Sequence, residues 1–104
     1  MNITEILAQA DQHGDFYMYY PKKDSKGTTY LVGTLDFANK YIQSKVTSDR
    51  VTRGTDPDAL QADLQKRNSI LVFSWTNDRF RILPATSVKK MTALRAEIQS
   101  AGKR

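Results

Sequence analysis

Few residues in this chain are equipped for covalent chemistry. Its 104 residues include one histidine and no cysteine. A general base needs an oriented partner. His13 instead closes a short helical stretch, where the helix dipole favours an imidazolium. Asp56 and Asp58 in "TDPD" are spaced like a ligand pair, yet Pro57 between them marks a helix start and capping accounts for both carboxylates. Metal binding would require further ligands with suitable geometry. Glycines 14, 27, 33, 54 and 102 stand singly and form no phosphate-cradling loop. The expectation is a non-enzymatic protein with no catalytic residue, metal or cofactor.

The residues left to consider are those that bind. The formal net charge is +5, unevenly spread. Residues 1–20 hold Glu5, Asp11 and Asp15 with no lysine or arginine. Residues 79–104 hold Arg79, Arg81, Lys89, Lys90, Arg95, Lys103 and Arg104 against Glu97 alone. Such an asymmetry points to a polyanionic partner, although a basic surface also serves solubility. Aromatic residues lie close to some of these cations. In "WTNDRFRIL", residues 75–83, Trp75 and Phe80 alternate with Arg79 and Arg81; in "DFYMYYPKKDSKG", Tyr17 and Tyr19 lead into Lys22, Lys23 and Lys26.

The elements that position these side chains follow from periodicity and turn chemistry. Asn2 and Glu5 have capping-box spacing, Ile3, Ile6, Leu7 and Ala10 share a helical face, and Gly14 supplies the stop. "DFYMYY" and "TTYLVGT" flank "KKDSKG" and read as a hairpin with a loop of roughly four residues; Pro21 ends its first strand or places it at an edge. "TLDFANKYIQSKV" reads as a helix capped by Thr34 or Asp36. Pro57 starts another, with Leu60, Leu64 and Ala59 as a thin stripe resting lightly on the surface. "SILVFSW" and "RFRIL" make a second hairpin about a two-residue turn at Asn77–Asp78. That register pairs Trp75 with Phe80 and puts Phe73, Trp75, Phe80 and Ile82 on a core face, with Ser74, Thr76, Arg79 and Arg81 opposite. After Pro84, Val88, Met91, Leu94 and Ile98 trace the stripe of a final helix that Lys89 and Lys90 begin.

The expected fold class is α+β, in the order α-ββ-α-α-ββ-α: two antiparallel β-hairpins forming one four-stranded sheet, with about four helices, in a single domain over residues 1–104. The gapless match of "YLVGTLDFANKYI" with "FRILPATSVKKMT" raises a ββα pseudo-repeat as an alternative to shared local grammar. No apolar run approaches the roughly 20 residues that span a bilayer, and the first residues lack signal-peptide character, so the reading is cytoplasmic without membrane contact.

Two functions fit this inventory. The favoured one is a small nucleic-acid-binding accessory protein that contacts DNA or RNA phosphates through Arg79, Arg81, Lys89, Lys90 and Arg95, with Lys22, Lys23 and Lys26 as an auxiliary loop. Exposed tyrosines beside those lysines could also stack bases. The alternative is an adaptor or inhibitor that docks on a larger protein through Tyr17 and Tyr19, its basic end meeting an acidic protein surface. A homodimer through an exposed hairpin edge is compatible with both.

Overall fold

The first helix, α1 (Ile3–His13), starts as its sequence dictates. The Asn2 side chain accepts from the Glu5 N–H while the Glu5 carboxylate accepts from the Asn2 N–H, so two otherwise unpaired donors are satisfied. Gly14 ends the helix at φ +76°, a conformation that a side chain would disfavour. The structure, a computed structural model, describes residues 1–24 and 26–94. After α1 come β1 (Asp15–Pro21), β2 (Thr28–Thr34), α2 (Lys40–Lys45), α3 (Pro57–Gln65), β3 (Ser69–Ser74) and β4 (Arg79–Pro84). A 3₁₀ turn at Ala85–Ser87 then leads to β5 (Lys90–Ala93).

All five strands join one antiparallel sheet in the order β4-β3-β2-β1-β5. The class is α+β, as expected, but with five described strands and three α-helices in place of four and about four. The sheet is apolar on both faces, which alternation along the strands keeps separate. On the first face, Phe16, Met18, Leu31, Ile70 and Val72 are fully buried, with Ile6 and Ala10 of α1 packed against them. On the second face, Leu71, Phe73 and Phe80 pack with Phe37, Ile42 and Leu64, the residues that α2, α3 and their flanking loop supply. Each fully buried apolar side chain contributes roughly 1.5–3 kcal/mol relative to exposure, so both layers matter to stability. Gly33 is needed for close approach rather than for a turn. A Cβ there would lie 2.7 Å from Val72 Cγ2 and 2.9 Å from the Phe73 carbonyl oxygen.

The largest departure from expectation follows Pro84. The segment expected to be a helix is a 3₁₀ turn and a strand, so Lys90 stands in β5 and Lys89 just before it, and neither begins a helix. Val88 and Met91 are buried as their spacing implies, but Val88 belongs to the approach to the strand and Met91 pairs with Met18. The cause is tertiary. Without β5, one side of β1 would have unpaired backbone groups, and the segment satisfies them, beginning with the Lys89 N–H donating to the Tyr19 carbonyl at 2.8 Å. The remainder of the expected helix, including Arg95 and Ile98, lies outside the described residues. The two halves of the proposed pseudo-repeat consequently differ: after β2 the chain enters α2, whereas after β4 it enters β5.

The hairpins also depart in detail. The β3–β4 connection is the four-residue turn 75–78, closed by Ser74↔Arg79, so Phe73 pairs with Phe80 rather than Trp75. Asn77 shapes it, its N–H donating to Ser74 Oγ at 3.2 Å and its Oδ1 accepting from that hydroxyl at 2.9 Å; Asp78 adopts φ +54°. The shift is by two residues, an even number, so the expected assignment of Phe73, Phe80, Arg79 and Arg81 to faces survives the wrong register. Trp75 remains on the Phe73 side but is only half-buried, and Ile82 is 41% exposed at the edge. In the first hairpin, Pro21↔Thr28 closes a six-residue loop, 22–27, and β1 ends at Pro21 but lies inside the sheet.

The helices on the second face are anchored more specifically than their sequences imply. Asn39, not Thr34 or Asp36, caps α2 by accepting from the Tyr41 and Ile42 N–H groups. In α3, buried Gln61 donates to the Leu71 carbonyl and accepts from its N–H, both at 2.8 Å. β2 pairs with β3 only at Gly33 and Thr34, which leaves Leu71 without a strand partner on that side. The amide of Gln61 takes that place, so α3 is fixed to the sheet rather than resting lightly on it.

Candidate functional site

Pairing of β5 with β1 brings together residues that are far apart in the sequence. Tyr17 and Tyr19 on β1 share the second face with Tyr30, which pairs with Tyr19 from β2, and with Lys90, which pairs with Tyr19 from β5. The three rings form one cluster. Tyr17 and Tyr30 meet edge-on with centroids 5.2 Å apart, Tyr19 and Tyr30 are tilted at 5.8 Å, and Tyr17 and Tyr19 are 6.3 Å apart. Lys90 Nζ lies 4.7 Å from the Tyr19 centroid, a cation–π contact. Tyr30 is 51% exposed, while Tyr17 and Tyr19 are half-buried.

Tyr19, Tyr30, Thr28, Lys89 and Lys90 line an open depression of about 450 Å³. Among the described residues its lining supplies two cations, two phenols and a hydroxyl, and no carboxylate or histidine. Lys22, Lys23 and Lys26 are in the loop that continues β1 beyond Pro21, so they leave the sheet from the end where Tyr19, Tyr30 and Lys90 lie. Sequence reasoning finds Tyr17, Tyr19 and all five of these lysines but not Tyr30. The signal for Tyr30 is in the hairpin itself: once the loop is 22–27, Tyr19 must stand opposite Tyr30.

The arginines lie elsewhere. β4 and β5 are the two edges of the sheet, separated by roughly 19 Å at the usual strand spacing. By alternation with Phe80, Arg79 and Arg81 point away from the tyrosine face. Arg81 donates to Asn77 Oδ1 at 3.1 Å, with its guanidinium 5.8 Å from the ring of Tyr20 on the first face. Arg79 lines a smaller depression of about 270 Å³ whose wall includes Lys45 and Arg50 but also Asp49 and Asp78. Arg95 lies outside the described residues.

The remaining polar features are structural in their contacts. Asp78 forms an ion pair with Lys45 at 2.8 Å and accepts from the Tyr41 hydroxyl at 2.6 Å. Hydrogen bonds from Lys45 first and Tyr41 second lower the pKa of the Asp78 carboxyl below the usual carboxylate value. Bonds to Asp78 and then Tyr41 raise that of the Lys45 ammonium. Tyr41 stacks on Trp75 at 6.1 Å, and the Trp75 indole N–H donates to Asp15 at 3.0 Å. Asp11 and Asp36 line a third depression, of about 480 Å³ beside α1, and Asp15 and Asp36 a fourth, of about 150 Å³. Among the described residues, no three His, Cys, Asp or Glu side chains are grouped so as to hold a metal ion, and no helix is long and apolar enough to cross a membrane.

The tyrosine–lysine depression therefore combines flat aromatic surface with ammonium groups. Such a surface can attract anions and cover π-faces. No family model matches the chain, and no curated protein or solved structure matches it either.

Proposed function

We propose that the protein is a non-enzymatic nucleic-acid-binding accessory protein whose contact surface is the Tyr19–Tyr30–Lys90 region of the sheet. The observation that carries this reading is the composition of the depression, in which Lys89 and Lys90 flank tyrosines with no carboxylate among the described lining residues. The depressions described beside α1, beside Arg79 and beside Trp75 each include aspartates, which would repel phosphates. Lys89 and Lys90 meet the backbone, and the 22–27 loop adds Lys22, Lys23 and Lys26 at the same end of the sheet. Phosphate contacts of this kind orient a protein on the polymer without reading its sequence.

A titration with DNA and RNA oligonucleotides at several salt concentrations tests the reading. Each phosphate neutralised contributes to the salt slope, so Lys89→Ala combined with Lys90→Ala should lower affinity and reduce the slope by roughly 1–2. Arg79→Ala combined with Arg81→Ala should leave the slope near that of the unsubstituted protein; a reduction there would move the contact to the β4 edge. No detectable binding near about 50 mM salt would sink the proposal. A protein partner docking on the tyrosines would show instead as binding that is indifferent to polyanions.

A further inference from the structure

We infer that the ligand of this surface is single-stranded nucleic acid, with one unpaired base stacked on Tyr30 and the adjoining phosphate held by Lys89 and Lys90. The inference rests on the nucleic-acid reading above and adds the state of the polymer and a role for each residue. Its starting point is a difference between the rings of the triad. Tyr17 and Tyr19 are half-buried against their neighbours, and the Lys90 ammonium covers part of Tyr19. Tyr30 is half-exposed, yet held by an edge contact with Tyr17 and a tilted contact with Tyr19. It is thus an oriented aromatic surface whose ordering cost is already met by the fold.

Access supports the same assignment. β3 pairs with β2 only at Gly33 and Thr34, and farther along β2 the Thr76 hydroxyl accepts the Val32 N–H. Neither α2 nor α3 contributes a lining residue to the depression. A planar group can therefore reach Tyr30 from above the sheet. Lys90 Nζ is 4.7 Å from the Tyr19 ring, which is 5.8 Å from the Tyr30 ring, so cation and stacking surface are within reach of a single nucleotide.

A duplex cannot use this arrangement. Its base faces are occupied by neighbouring pairs, so it would offer phosphates to the lysines and leave Tyr30 without a partner. A single strand exposes both chemistries, and stacking on an aromatic side chain tolerates every base because each has a π-face. The chemistry therefore favours an unpaired polymer with little sequence preference.

The test compares three fluorescently labelled ligands of equal length on the full chain: oligothymidylate, an abasic oligomer with the same phosphates, and a duplex. The expected result is that oligothymidylate binds roughly tenfold more tightly than the abasic oligomer, and that Tyr30→Ala removes this difference without changing abasic binding or the salt slope. Tyr30→Trp should retain the preference. Circular dichroism and thermal unfolding of Tyr30→Ala should match the unsubstituted protein, because the ring is half-exposed. If all three ligands bind equally and Tyr30→Ala changes nothing, stacking is overturned while phosphate binding stands. If none binds, the nucleic-acid reading itself fails.

Discussion

The second face of the sheet has two halves built on different principles. Over β3 and β4, α2, α3 and their flanking loop cover Leu71, Phe73 and Phe80; Phe73 meets Phe80 edge-on at 5.1 Å, and Phe80 meets Phe37 in a tilted contact at 5.7 Å. Over β1, β2 and β5 the same face presents Tyr17, Tyr19, Tyr30 and Lys90. Helix length accounts for part of the difference. α2 and α3 have 6 and 9 residues, about 9 and 14 Å long, and span less than the roughly 19 Å between the edge strands. Residue type agrees with position: phenylalanine where burial is complete, tyrosine where a hydroxyl must meet water. At the boundary, Trp75 and Tyr41 stack while each gives its polar hydrogen to an aspartate. The comparison teaches that aromatic clustering alone does not distinguish core from binding surface. What covers the cluster does.

The contrast is tested most severely by removing one ring from each half. Phe73→Ala should cost roughly 3–5 kcal/mol in urea unfolding, the range for deleting a fully buried phenylalanine. Tyr30→Ala should cost less than about 1 kcal/mol, as for a surface substitution. Equal costs would mean that the open half is packed like the covered one, and the distinction would collapse.

A smaller effect concerns how the covered half keeps its roof. Gln61→Leu retains most of the side-chain volume but leaves the Leu71 N–H and carbonyl unpaired in a buried site. A loss of about 1–3 kcal/mol is expected, with faster amide exchange at Leu71. Unchanged stability would show that the amide clamp merely accompanies apolar packing.

The smallest effect belongs to the exposed ion pair beside Tyr41. The Asp78 carboxyl has a lowered pKa in the folded protein, so the unfolded chain takes up its proton first as acid is added. Its contribution is therefore present above the ordinary aspartate pKa and is lost as pH falls through the lower folded value. Asp78→Asn should lower the thermal midpoint slightly at neutral pH and leave it almost unchanged in acid, so that the acid limb flattens. An identical acid limb would remove the pair from the account of stability. Salt should weaken the effect, because both partners are exposed to screening.

Local signals in the sequence account for much of what the structure contains. The α1 capping box, the Gly14 stop, Pro57 at the start of α3 and both hairpins follow from residues within a few positions of one another. Even the misjudged β3–β4 turn preserved the separation of Phe80 from Arg79 and Arg81, because side chains alternate with period two. The segment after Pro84 failed for a different reason. Val88 and Met91 satisfy a helical stripe equally well, and the hydrogen-bonding side of β1 that draws this segment into a strand is about 70 residues away in the chain.

That same pairing decides the candidate site. Sequence by itself determined that the chain has tyrosines next to a lysine loop, arginines next to Phe80, a single histidine and no cysteine. It determined which residues alternate on each strand, since that depends only on backbone geometry. Only the tertiary structure decided that Lys90 stands beside Tyr19, that Tyr30 completes the cluster, and that Arg79 and Arg81 are at the far edge. The physical reason is that strand order depends on which unpaired backbone edges meet. Edges carry the same N–H and carbonyl groups whatever the side chains, so no local motif announces the choice.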